Sequence, residues 1–109
     1  MANDLSQLMA RAQEAQQKLQ ELQAELATRR VEGSAGGGMV KAQVSGALRV
    51  LEVEIEPGLV ESGDRAMLQD LVAAAVNAAL TNAQQMIQQE MQRASTQFQI
   101  PLPTPGAGE

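Results

Sequence analysis

The sequence predicts an α+β domain built as a helix, a three-stranded antiparallel sheet and a long helix. Three observations predict it. Apolar residues fall at 5, 8, 12, 15, 19, 22 and 26, residues 38–57 alternate with period two, and a broader helical stripe runs from Leu68 to Ile87. Residues 1–98 then form one domain, and residues 99–109 a disordered, Pro-rich tail.

The first stripe is a heptad seam. Leu5, Ala12, Leu19 and Leu26 take one core position and Leu8, Ala15 and Leu22 the other, which is narrower than the face of an ordinary core helix. Asn3 or Asp4 can cap its start, and Glu14 precedes Lys18 by four residues, a favourable ion-pair spacing. Such a helix lies along a partner by its stripe, projects from the body, or joins two chains as a coiled coil. The seam ends at Thr28, where TRRVEGS gains β character around Val31 and meets Ala35-Gly36-Gly37-Gly38. This glycine run lacks the Lys-Ser/Thr ending of a phosphate loop and precedes a strand rather than a helix, so it reads as a turn.

In GMVKAQVSGALRVLEVEIEP, Gly46-Ala47 suits a two-residue hairpin loop. That loop predicts Val44 opposite Arg49, Ala42 opposite Leu51, Val40 opposite Val53 and Lys41 opposite Glu52, and Pro57-Gly58 ends the strand. Glu52, Glu54 and Glu56 alternate along one face and read as a solvated surface, because acid–base catalysis needs carboxylates converging in an apolar cleft. Ser62 or Asp64 can cap the second helix, expected to run to about Arg93. Its stripe contains Leu68, Leu71, Val72, Ala75, Val76, Ala79, Ala83 and Ile87, thinning beyond Leu80 into Gln-rich sequence. Gln99 to Glu109 holds Pro at 101, 103 and 105 and no periodic apolar residue.

The core of such a domain is thin. Of 109 residues, 18 are Ala, and Leu, Ile, Val and Phe together number 24, so burial is expected to be completed by a second copy of the chain. The candidate dimer interface is Leu68, Leu71, Val72, Ala75, Val76 and Ala79, on the stripe whose small residues allow close approach to the sheet or to the helix's own mate. Cys and His are absent, which excludes disulfides, thiolate and imidazole metal sites and the nucleophile–base pairs built on them. No enzyme activity, cofactor or small-molecule substrate is expected. No apolar run reaches the ~18 residues of a membrane span, so the expected location is cytoplasmic, without a membrane partner.

Net charge is −5, which argues against a polyanionic partner, but the charge is segregated. Residues 1–51 carry six positive and five negative side chains, whereas residues 52–109 carry two and eight. The candidates for phosphate contact are Arg11 and Lys18, seven apart on one helix flank, with Arg29 and Arg30 at the helix end. Aromatic residues are too few for recognition of single strands by stacking.

In this order the chain resembles the YbaB/EbfC family of bacterial nucleoid-associated proteins over about residues 5 to 103. The matching segments are the Met/Gln/Ala-rich first helix, Val31-Glu32-Gly33 before the glycine turn, GMVKAQVSGA, VEIEP and MLQDLVAAAVNAA. The resemblance implies a tweezer-like homodimer, with sheets and second helices at its centre and first helices projecting, that binds double-stranded DNA in the nucleoid with little sequence preference. Many relatives carry further Lys along the first helix, where this chain has only Arg11 and Lys18. The alternative reading is a non-enzymatic protein-interaction scaffold, since the layout also resembles a small prefoldin-like holdase.

Overall fold

The structure, a computed structural model, describes residues 2–98; the expected tail lies outside the described residues. It has the predicted α+β order. Helix α1 (Ala2–Thr28) leads into β1 (Arg30–Ala35), a 3-10 turn over Gly36–Gly38, β2 (Val40–Ser45) and β3 (Val50–Ile55). A short α2 (Pro57–Glu61) and the long α3 (Arg65–Phe98) follow. The three strands form one antiparallel sheet in the order β1-β2-β3. With helices of 27 and 34 residues, the molecule is elongated, 74 × 32 × 16 Å.

One face of the sheet carries the core. Val40, Ala42 and Val44 of β2 are fully buried, and so are Ala75, Ala79 and Ala83, spaced four apart along α3. That spacing puts a strip of methyl groups against the sheet, and the helix axis comes correspondingly close. The closest approach is at Gly33 of β1, where a Cβ would lie 2.6 Å from the Ala79 Cα and against its backbone nitrogen. Gly33 is therefore where α3 rests on the sheet backbone. Asn82 adds a second tie, its Nδ2 donating to the Glu32 carbonyl at 3.0 Å.

The hairpin differs from the sequence expectation in register. Leu48 takes a left-handed conformation, φ 61°, so the loop has three residues, Gly46 to Leu48, rather than two. The Ser45 N–H donates to the Arg49 carbonyl at 2.9 Å, and the Leu48 N–H to the Ser45 carbonyl at 2.8 Å. A type I turn closed by a left-handed residue has this pattern. A bulge between Gln43 and Val44 then leaves Leu51 without a partner. Two added residues shift the pairing by two, to Val40 opposite Ile55, Ala42 opposite Val53 and Lys41 opposite Glu54. Because the shift is even, side-chain alternation survives, and Val53 and Ile55 still pack on the core face. Leu51, expected there, is instead 48% exposed.

Helix α2 was not anticipated. Pro57 stands at its first turn, where the missing N–H is not needed and the fixed φ suits a helix, and Leu59 drops into the core. Asp64 caps α3: its Oδ1 accepts the Met67 N–H at 3.0 Å. Substituting Asp64→Ala removes this acceptor and should cost about 1 kcal/mol. In a domain of this size that lowers the melting temperature by roughly 4–8 °C in a circular dichroism melt. Helix α3 continues past Arg93 to Phe98, through a segment that includes the good helix formers Ala94 and Gln97.

Candidate nucleic-acid interface

The four predicted basic residues lie on or beside α1, whose carboxy end is anchored to the body. Leu26 is buried, and its carbonyl passes over Gly46, where a Cβ would stand 2.6 Å from the Leu26 carbonyl carbon. The Gly46 N–H donates to the Arg29 carbonyl at 3.0 Å, fixing the turn from helix to β1 against the hairpin loop. From this root the helix runs outward, and Asp4 to Glu14 are all exposed.

Arg29 is held at the root. Its guanidinium bridges Glu25 one turn back, at 3.3 Å, and Glu90 of α3, at 3.4 Å. The Glu90 side chain is only 16% exposed and also faces Arg93 at 3.8 Å. Arg30 points to the open face of the sheet, where Nε donates to Gln43 Oε1 at 2.8 Å and Nη2 reaches Glu52 at 3.4 Å. Glu32 and Glu54 share that face, with Lys41 opposite Ser34 and Glu54. An anion approaching the open face meets carboxylates first, so this face is a poor phosphate surface.

Arg11 and Lys18 differ from that pair. Both are exposed and face a shallow groove with Glu14 and Ala15 between them. Among the described residues neither forms an ion pair, and the Glu14–Lys18 pair suggested by spacing is not made. Seven residues of helix separate them, so the two cations stand about 10 Å apart on one flank. The structure thus divides the predicted site in two, an arm pair open to solvent and a root pair already neutralised. Glu52 and Glu90, which neutralise the root pair, were missed because both are remote in sequence from the arginines they meet.

Of the predicted interface residues, Ala75 and Ala79 are fully buried against the sheet of the same chain. Leu68, Leu71, Val72 and Val76 pack at the edge of that core and remain partly exposed. Among the described residues no cluster of His, Cys, Asp and Glu could hold a metal ion. No helix among them is long and apolar enough to cross a membrane.

The model of the YbaB/EbfC DNA-binding family matches residues 1–98. The chain belongs to that family. A nucleoid-associated protein of Pelotomaculum thermopropionicum is 44% identical over 101 residues, covering 93% of this chain and 96% of that protein. One from Caldanaerobacter subterraneus subsp. tengcongensis is 41% identical over 98 residues, covering 90% and 88%. One from Chlorobaculum tepidum is 47% identical over 88 residues, covering 81% and 78%. A similar fold is seen in the crystal structure of an uncharacterized protein from Helicobacter pylori. That match has a TM-score of 0.67 at 19% identity and covers 81% of this chain and 92% of that one. DNA binding and nucleoid association are thus the properties for which the family and these relatives are named, and neither names an enzyme.

Proposed function

We propose that this YbaB/EbfC chain is a non-enzymatic homodimer of the cytoplasm and nucleoid that binds double-stranded DNA with little sequence preference. The observation that carries the reading is the pair Arg11 and Lys18, exposed and, among the described residues, without carboxylate partners, on the outward-running helix of a family named for DNA binding. Side chains of this kind hold phosphates and do not read bases, which supports low sequence preference. A mobility-shift titration of duplex DNA at several salt concentrations tests it. Binding that weakens steadily with salt is expected; no shift even at low salt would turn the reading to a protein-interaction scaffold.

Self-association is supported by apolar surface that one chain leaves open. Leu48, Val50 and Leu51 are exposed around the hairpin end and the edge strand β3. Beside them, a groove is lined by Leu48 together with Thr81, Gln84 and Ile87 of α3. Edge strands and apolar patches of this kind are covered in stable proteins. The partly exposed Leu68, Leu71, Val72 and Val76 extend the apolar surface along α3. Leu71→Asp places a carboxylate among apolar neighbours and should cost at least about 2 kcal/mol. Light scattering should then read a mass moving from two chains towards one, with a lowered melting temperature. A variant that keeps the parent's mass and melting point would remove Leu71 from the interface.

A further inference from the structure

The heptad seam of α1 is closed at one end and open at the other. Leu26 is 3% exposed and Leu22 and Leu19 are partly buried, but Leu8 is 64% exposed, Leu5 61% and Met9 57%. These three are the most exposed large apolar side chains among the described residues, and they sit together at the outer end of the arm. A solubilising arm has no use for them there; a seam continuing past its anchored half does.

We propose that residues 4–11 of α1 pair antiparallel with the same segment of a second copy, joining one homodimer to the next through the ends of their arms. The occupant follows from the charges flanking the seam. Asp4 and Arg11 lie one heptad apart, each immediately before a seam position, on the same edge of the stripe. When two such helices overlap antiparallel, Leu5 of each meets Leu8 of the other, and the flanking residues one heptad apart become neighbours. Asp4 of each copy then faces Arg11 of the other, twice by symmetry. A parallel pairing would set Asp4 beside Met9 and Arg11 beside Gln16 of the other chain, without this complementarity. The antiparallel sense also suits the geometry, because arms reaching out from separate bodies meet by their amino ends. Three apolar side chains per copy bury far less than the ~1,200 Å² of a stable interface, so the association is weak and reversible. Arg11 is also a proposed phosphate contact, so DNA bound there competes with this pairing. The proposal rests on the homodimer reading only for the size of the unit being joined.

Sedimentation velocity of the full chain without DNA, from about 10 μM to about 1 mM, covers the range in which so small an interface associates. The mass is expected to rise from two chains towards four or more. Leu5→Gln with Leu8→Gln keeps good helix formers and should weaken this rise at least tenfold. Asp4→Arg alone and Arg11→Asp alone should each suppress it, because each brings like charges together. An equimolar mixture of the two single variants should recover it, since the arginine introduced at position 4 of one then meets the aspartate introduced at position 11 of the other, while the native pair forms alongside. A parent of constant mass, a Leu5/Leu8 variant that assembles like the parent, or a mixture no better than its components overturns the proposal. So does assembly by the full chain that is lost in residues 1–98, which would make the carboxy-terminal segment the occupant. A Leu5/Leu8 variant that runs as a single chain would support the arm pairing and defeat the homodimer reading, so the two are told apart.

Discussion

Gly33→Val is expected to remove a large part of the stability of the fold. A side chain at this position has nowhere to go, because the atoms facing it are the backbone of Ala78 and Ala79 rather than a side chain that can turn aside. Helix α3 would have to retreat from the sheet, and the fully buried contacts of Ala75, Ala79 and Ala83 with β2 would open together. Overpacking of this kind costs about 3 kcal/mol or more when the neighbour cannot yield. That is a large fraction of the roughly 5–15 kcal/mol that stabilises a typical domain. Among the described residues only Val40 and Val44 are fully buried side chains as large as Val, so the core has little stability to lose. Circular dichroism should show the melting temperature falling by more than about 10 °C. Gly58→Ala is the control: nothing lies within 4 Å of a Cβ there, and it stands in the first turn of α2, so no loss is expected. A Gly33 variant that melts like the parent would mean that α3 does not rest on β1.

Much of this arrangement was legible because it follows from local periodicity. The two helices, the three strands and the choice of core face depend on spacings of three to four or of two, which any stretch of sequence displays directly. The loop of the hairpin was not legible. A non-glycine residue in the left-handed region is uncommon, and nothing marks Leu48 as such a residue against the stronger signal of Gly46-Ala47. Yet the consequence for the core is small, since the error of two residues preserves the face of every side chain but those at the bulge. Helix α2 was hidden by Pro57, which is as good a strand terminator as a helix initiator.

For the candidate site, the placement of the arm pair was legible in the sequence and the state of the root pair was not. Sequence spacing places Arg11 and Lys18 on one flank, where the structure also has them exposed. It also treats Arg29 and Arg30 as equal partners of that pair, because two of the three carboxylates that meet them come from β3 and α3. Long-range pairing of this kind depends on how α3 crosses the sheet, and that in turn depends on Gly33 and the Ala strip. The segregation of charge along the sequence is thus partly undone in space, as acidic side chains from the second half cover the basic root of the arm.

Replacing Arg11 and Lys18 together by Ala should therefore have the larger effect on DNA. The substitution removes two positive charges per chain and four from the proposed homodimer. If all four touch phosphate, the slope of log K against log salt flattens by up to about 3.6 units, from a counterion release of about 0.9 per contact. Affinity at moderate salt then falls by as much as roughly three orders of magnitude. The acidic body does not prevent this contact, since its field is screened over about 8 Å at physiological ionic strength and the arm residues lie far from most of it. Arg29→Ala with Arg30→Ala removes the same formal charge but should flatten the slope much less. To touch phosphate, Arg29 must leave Glu25 and Glu90, and Arg30 must leave Glu52, so each gain is offset by a lost ion pair. The comparison is made by mobility shift at matched salt, with mass and melting temperature confirming that both variants fold. Equal flattening by the two double variants would place the DNA along the whole arm. A larger effect of the root pair would move the site to the junction of α1 with the sheet, where DNA would have to displace the carboxylates that hold those arginines.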